Sequence, residues 1–220
     1  MAPLPSRRAA AFAVAALIPL TAAGCGHDSA DKPSPLPPSA SAAPGEYATV
    51  TFAAPFAVKP APGLQASPID VGTLLEWAAT GSENNKIRFL LPVEIYPPGK
   101  TKAEPPPADF DAYLTTLASA GVEFKDKKQI QVDGHPVTLS TVTRKPTALV
   151  DGSFGCAVRG DDQTDDCYGP KTDLLLRFAV IKVGDKNVLA WARVPAAEPD
   201  QPFLDSFEQM LETVHFRARP

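Results

Sequence analysis

The residues of this chain that could do chemistry are few and scattered. Its histidines are His27, His135 and His215. His135 follows Asp133-Gly134, a hairpin-turn signal, and His215 follows an amphipathic segment. Each therefore has a plain structural place besides that of a general base. No G-x-S-x-G elbow sets a serine beside them. No H-E-x-x-H, phosphate loop or G-x-G-x-x-G occurs either, so no cofactor is expected. Glu76 and Glu94 could serve an envelope hydrolase as a carboxylate pair if the fold gathered them in one cleft. Alternating exposed positions on strands explain them equally well, and the expectation is a protein that is not an enzyme.

The acids Asp161, Asp162, Asp165 and Asp166 crowd between Cys156 and Cys167, with Asp151 outside. Carboxylates on a short closed loop could bind calcium. Their spacing is not that of an EF-hand and no Glu closes the run, so a solvated loop is expected and no metal is assigned. Arg159-Gly160-Asp161 spells an adhesion tripeptide, a match that three letters produce by chance. Trp77 and Trp191 each fall within an apolar run. They are the candidates to line an apolar pocket between sheet and helices, and filling the core is their other role.

The third cysteine sits in a different setting. Arg7 and Arg8 are followed by the apolar stretch Ala9–Leu20, too short to span a bilayer, which needs about 20 residues. This reads as a signal sequence for the ordinary export route. Thr21-Ala22-Ala23-Gly24-Cys25-Gly26 then resembles the lipobox of bacterial lipoproteins, with Ala22 where Leu is commonest. The resemblance implies cleavage before Cys25, diacylglyceryl attachment to its thiol, and a chain tethered to the outer face of the cell membrane. A plain secretory signal with an incidental Cys25 is the other reading. Two or more acyl chains, at about 0.8 kcal/mol per buried methylene, suffice as an anchor. With Cys25 lipidated, Cys156 and Cys167 remain as the expected disulfide of an exported protein. Free thiols and a zinc pair are the alternatives; no histidine lies nearby and the spacing is not CxxC.

Net charge is −4, and loss of residues 1–24 removes Arg7 and Arg8 and no acid, leaving −6. With no basic run after Arg8, nucleic acid is not an expected partner. Residues 25–46 carry the lipid site and a Pro/Ser/Ala-rich stalk, with a reach of roughly 25 to 60 Å.

A single domain is expected over 47–217. Period-two alternation predicts strands at Tyr47–Phe52, Phe56–Val58, Leu74–Ala79 and Ile87–Tyr96, with the polar run Gly81–Asn85 as a turn. Strands are also expected at Val122–Val132, Val137–Arg144, Leu174–Val183 and Val188–Val194. Asp133-Gly134 and Gly184-Asp185 mark two hairpins. Apolar residues on both faces of Leu174–Val183 predict an interior strand. Phe110, Tyr113, Leu114 and Leu117 share one helix face between Asp109 and Ala120. Leu204, Phe207, Leu211 and Val214 share another over Phe203–Thr213. His215–Arg217 is expected to form a last short strand. The fold class is α+β, an antiparallel sheet flanked by two main helices.

This layout is similar to the PsbP-like α/β/α fold of actinobacterial envelope lipoproteins. The residues that carry the resemblance are Phe52–Phe56, Val132-Asp133-Gly134-His135-Pro136, and the segment from Phe207 to Phe216. It implies a non-enzymatic accessory or binding module, with an envelope protein or a small apolar ligand as partner and no shared catalytic residue. A structural lipoprotein without ligand is the alternative, and the hydrolase a further one.

Overall fold

The computed structural model describes residues 43–146, 152–160 and 166–217. Cys25, His27 and most of the Pro-rich segment lie outside them. In chain order the elements are β1 (Tyr47–Ala48), β2 (Phe56–Val58), β3 (Ile69–Val71), β4 (Leu74–Ala79), β5 (Ser82–Leu90), α1 (Phe110–Ser119), β6 (Val122–Val132), β7 (His135–Arg144), β8 (Gly155–Cys156), β9 (Cys167–Tyr168), β10 (Leu174–Val183), β11 (Lys186–Pro195), α2 (Gln201–Glu212) and β12 (His215–Phe216). The protein is α+β. Its main sheet is seven-stranded, in the order β3-β4-β5-β11-β10-β7-β6, and its paired strands run antiparallel. β10 lies inside the sheet, as its two apolar faces predict.

Alternation along each strand divides the side chains between two cores. On one face Phe56, Trp77, Phe89, Leu139 and Ile181 pack under α2 and the small sheet β1-β2-β12. On the other, Phe154, Leu176, Phe178 and Trp191 pack with Phe110, Tyr113 and Leu117 of α1. Both helices start where a carboxylate meets orphan amides. Asp109 accepts from Ala112 N at 3.0 Å, and Asp200 accepts from Phe203 N at 3.0 Å. A partly buried ion pair also fastens α2: Arg177 Nη2 of β10 lies 2.5 Å from Glu208 Oε1. Arg177 Nη1 donates to Asp126 O, a carbonyl presented by the left-handed bulge at Asp126 (φ 48°). That bulge, with exposed Lys125, Lys127 and Lys128, blunts the β6 edge against further strand pairing.

Three expectations need correction. The strand expected over Tyr47–Phe52 stops at Ala48. Asp70 instead draws the segment inward: its carboxylate accepts from Tyr47 Oη at 2.8 Å, Val50 N at 2.6 Å, Thr51 N at 3.2 Å and Phe52 N at 2.8 Å. Three amides aimed at one carboxylate cannot also form a ladder. Asp70 belongs to β3, a three-residue edge strand too short to show a period, whose Ile69 and Val71 are exposed. The run Gly81–Asn85 is not a loop either. Ala79 pairs with Ser82 across a tight turn, and Ser82–Asn85 enters β5. Asn85 is buried there because its Nδ2 donates to Asp200 Oδ2 at 2.9 Å, a partner supplied by the α2 cap. The expected end of that strand at Tyr96 moves back to Leu90, just before the break at Pro92.

Candidate functional site

Residues paired across neighbouring strands form rows on each face of the sheet. On the α1 face one row runs Glu76, Arg88, Trp191, Phe178, Ser140 across β4, β5, β11, β10 and β7. Its first part is ionic. Glu76 is only 6% exposed, and its Oε1 accepts from Lys86 Nζ at 2.5 Å while its Oε2 accepts from Arg88 Nε. Burial by itself would raise the Glu76 carboxyl. Hydrogen bonds and charge from Lys86 and Arg88 outweigh it and hold the group below the usual carboxylate range. The Arg88 guanidinium also lies 4.4 Å from the centroid of the Tyr168 ring and 5.9 Å from that of Trp191.

The second part of the row is aromatic. Phe154, from the loop that carries the cysteines, stacks on Phe178 with ring centroids 4.4 Å apart. Cys156 and Cys167 are joined as a disulfide within this loop. Tyr113 of α1 binds the same loop: its hydroxyl donates to Ser153 O at 2.6 Å and lies 3.3 Å from Tyr96 O. Burial, with a smaller push from Glu104, raises that phenol and keeps it a donor. Gly152 lets the loop come this close, since a Cβ there would stand 2.6 Å from Leu117 Cδ2.

Another flank of α1 stands clear of the sheet. Between Asp111, Leu114 and Thr115 on the helix and Phe124, Ser140 and Phe178 on the strands runs a groove of about 920 Å³. Its lining is mixed, with Leu114, Phe124 and Val180 beside the hydroxyls of Thr115, Thr138 and Ser140 and the carboxylates of Asp109 and Asp111. Lys127, Lys182 and Asn187 supply polar groups along its border. Asn187 Nδ2 reaches Pro107 O at 3.4 Å, tying the start of β11 to the segment that leads into α1. No histidine or cysteine lines the groove. Apolar side chains interleaved with hydroxyls and ammonium groups suit the holding of an amphipathic molecule.

The residues singled out from sequence fall as follows. Cys25 and His27 lie outside the described residues, as do Asp151, Asp161, Asp162 and Asp165. Asp166 is described, and its backbone carbonyl accepts from Ala157 N at 2.7 Å. Trp77 and Trp191 are both buried, but in separate cores on opposite faces of the sheet. They do not share a pocket, and neither lines the groove. Glu76 and Glu94 have separate partners: Glu94 Oε1 accepts from Gly160 N at 3.1 Å. His135 opens β7, and His215 Nδ1 lies 3.4 Å from Asp133 Oδ1. Among the described residues no group of three or more His, Cys, Asp and Glu side chains could hold a metal ion. No helix among them is long and apolar enough to cross a membrane.

The groove residues went unnoticed in the sequence. Leu114 carried a signal, because it sits on the apolar stripe of α1 yet remains half-buried. Thr138 and Ser140 also did, as polar positions between Pro136 and Val142 on one face of β7. No known protein-family model matches this chain, and no curated protein matches it.

Proposed function

We propose that this chain is a lipid-anchored protein of the bacterial envelope whose domain is a non-enzymatic binding module for a small amphipathic ligand. Lipid on Cys25 holds it to the outer face of the cell membrane, and the Pro-rich stalk sets the domain away from the bilayer. The two-helix, antiparallel-sheet layout supports a PsbP-like α/β/α relationship. The observation that carries the binding reading is the groove of about 920 Å³ between α1 and β6, β7 and β10, within the usual size of small-molecule sites. The ligand's apolar body lies against Leu114, Phe124 and Val180, and its polar end meets Lys127 or Lys182. The commitment of Glu76 to Lys86 and Arg88 argues against the hydrolase reading, since a general acid needs a raised rather than a lowered pKa.

Native mass spectrometry of the full chain purified from its own host tests both halves. The wild type is expected to carry a non-covalent adduct that Thr115→Trp, which puts an indole into the groove wall, does not retain. A clean apo mass for the wild type, or an adduct kept by Thr115→Trp, overturns the groove. Intact mass reads the anchor: a Cys25→Ala chain still lipidated at its N-terminus sinks that assignment.

A further inference from the structure

A second concavity lies on the same sheet face, at the turn that joins β4 to β5. It is an open cleft of about 720 Å³ bordered by Ala78, Ser82, Glu83, Lys86 and Arg193. Asn187 borders the first groove, and Arg193 stands six residues further along β11. At about 3.4 Å per residue that is roughly 20 Å, so the two are distinct sites.

Register brings Arg193 beside Lys86 on β5, which in turn pairs with Ala78 on β4. Arg88 lies two residues along on the same face. Three cations therefore cluster around Glu76, whose two oxygens are already taken by Lys86 and Arg88. Arg193 is the one left over. Its Nε is buried without a hydrogen-bond partner. Burial disfavours its charge and Arg88 adds like-charge repulsion, while Glu76 and Asp173 act on it favourably without an ion pair of their own. Glu83, the carboxylate at the rim, is exposed. No hydrogen bond or ion pair among the described residues engages the Arg193 guanidinium, which borders the cleft, so an acceptor that enters from outside can meet its terminal N–H groups.

We propose that this cleft is an oxyanion site, in which the guanidinium of Arg193 and the ammonium of Lys86 hold a phosphate or carboxylate group of a ligand. The planar fork of arginine suits either group, and Lys86 adds charge without geometric demand. The site is independent of the groove and of whatever occupies it.

The backbone N–H resonance of position 193 in the full-length chain, present in the wild type and in every variant, reports the site. Inorganic phosphate and acetate, titrated separately at constant ionic strength, are the probes, and which one saturates lower distinguishes the two anion classes. A saturable shift of that resonance is expected, lost in Arg193→Gln, several-fold weaker in Arg193→Lys, and stronger in Glu83→Gln, which removes the rim carboxylate. The proposal fails if neither anion moves the resonance. It fails equally if the shift does not saturate, or if Glu83→Gln leaves the affinity unchanged while Arg193→Lys binds as well as the wild type.

Discussion

Under α2, the sheet buries Phe56, Trp77, Phe89 and Phe207 at 2% exposure or less, and the ion pairs of Glu208 with Arg177 and Lys128 dock the helix. Under α1, the same strands present Glu76, Arg88 and Arg193 beside Trp191 and Phe178, and both concavities open on this side. The difference follows from what covers each face. The α2 face receives a helix whose apolar side presents Phe203, Leu204, Phe207, Met210 and Leu211, helped by a small sheet. The α1 face receives a helix with fewer buried residues and a disulfide-closed loop, which together leave the sheet uncovered at two places. A closed face stabilises by burial; a face covered in pieces leaves room for a ligand.

The largest effect separates the faces by stability. Phe207→Ala is expected to cost about 3–5 kcal/mol in urea unfolding, because the site is fully buried and cannot collapse. Leu114→Ala, on the wall of the groove, should cost about 1 kcal/mol or less. Equal losses would erase the distinction between a closed and an open face.

A smaller effect belongs to the α1 face. Reducing Cys156–Cys167 releases a loop closed over a separation of 11 residues, and should lower stability by roughly 2–3 kcal/mol. Hydrogen exchange is expected to rise first at Ser153–Ala157 and at α1, which Tyr113 ties to that loop. A rise that begins in α2 instead would break the comparison.

The smallest effect is acid sensitivity. Because the folded Glu76 carboxyl titrates below its ordinary value, its ion pairs contribute stability that is fully present above a pH of about 4.3 and is lost as pH falls through the lower folded value. Glu76→Gln should therefore flatten the acid limb of a stability–pH curve. An unchanged limb would show that Lys86 and Arg88 do not act on the carboxyl as their placement requires.

Much of the frame was readable from residue pattern. Val122–Val132 and Leu174–Val183 form strands with the expected limits, and both helices fall within two residues of theirs. In each, an apolar period, broken in Val122–Val132 only around the Asp126 bulge, is bounded by a glycine turn or a capping aspartate, so local chemistry and burial agree. The failures share one cause. Tyr47–Phe52 has a strand's alternation, but Asp70 claims its amides from 18 to 20 residues away. Ser82–Asn85 has a turn's composition, but Asp200 gives Asn85 a partner from 115 residues away. Trp77 and Trp191 looked alike because each lies in an apolar strand; sheet order put them on opposite faces.

The sequence by itself determined most element types, the hairpins and the α+β class, because each rests on neighbours in the chain or on spacing; the structure settled the Cys156–Cys167 disulfide. Only the tertiary structure decided which strands meet. The contacts of β5 with β11 and of β7 with β10 join segments far apart in sequence. Those two joins assemble the row from Glu76 to Ser140, bring Arg193 beside Lys86, and set α1 over part of the sheet rather than all of it. Both candidate sites exist because of them.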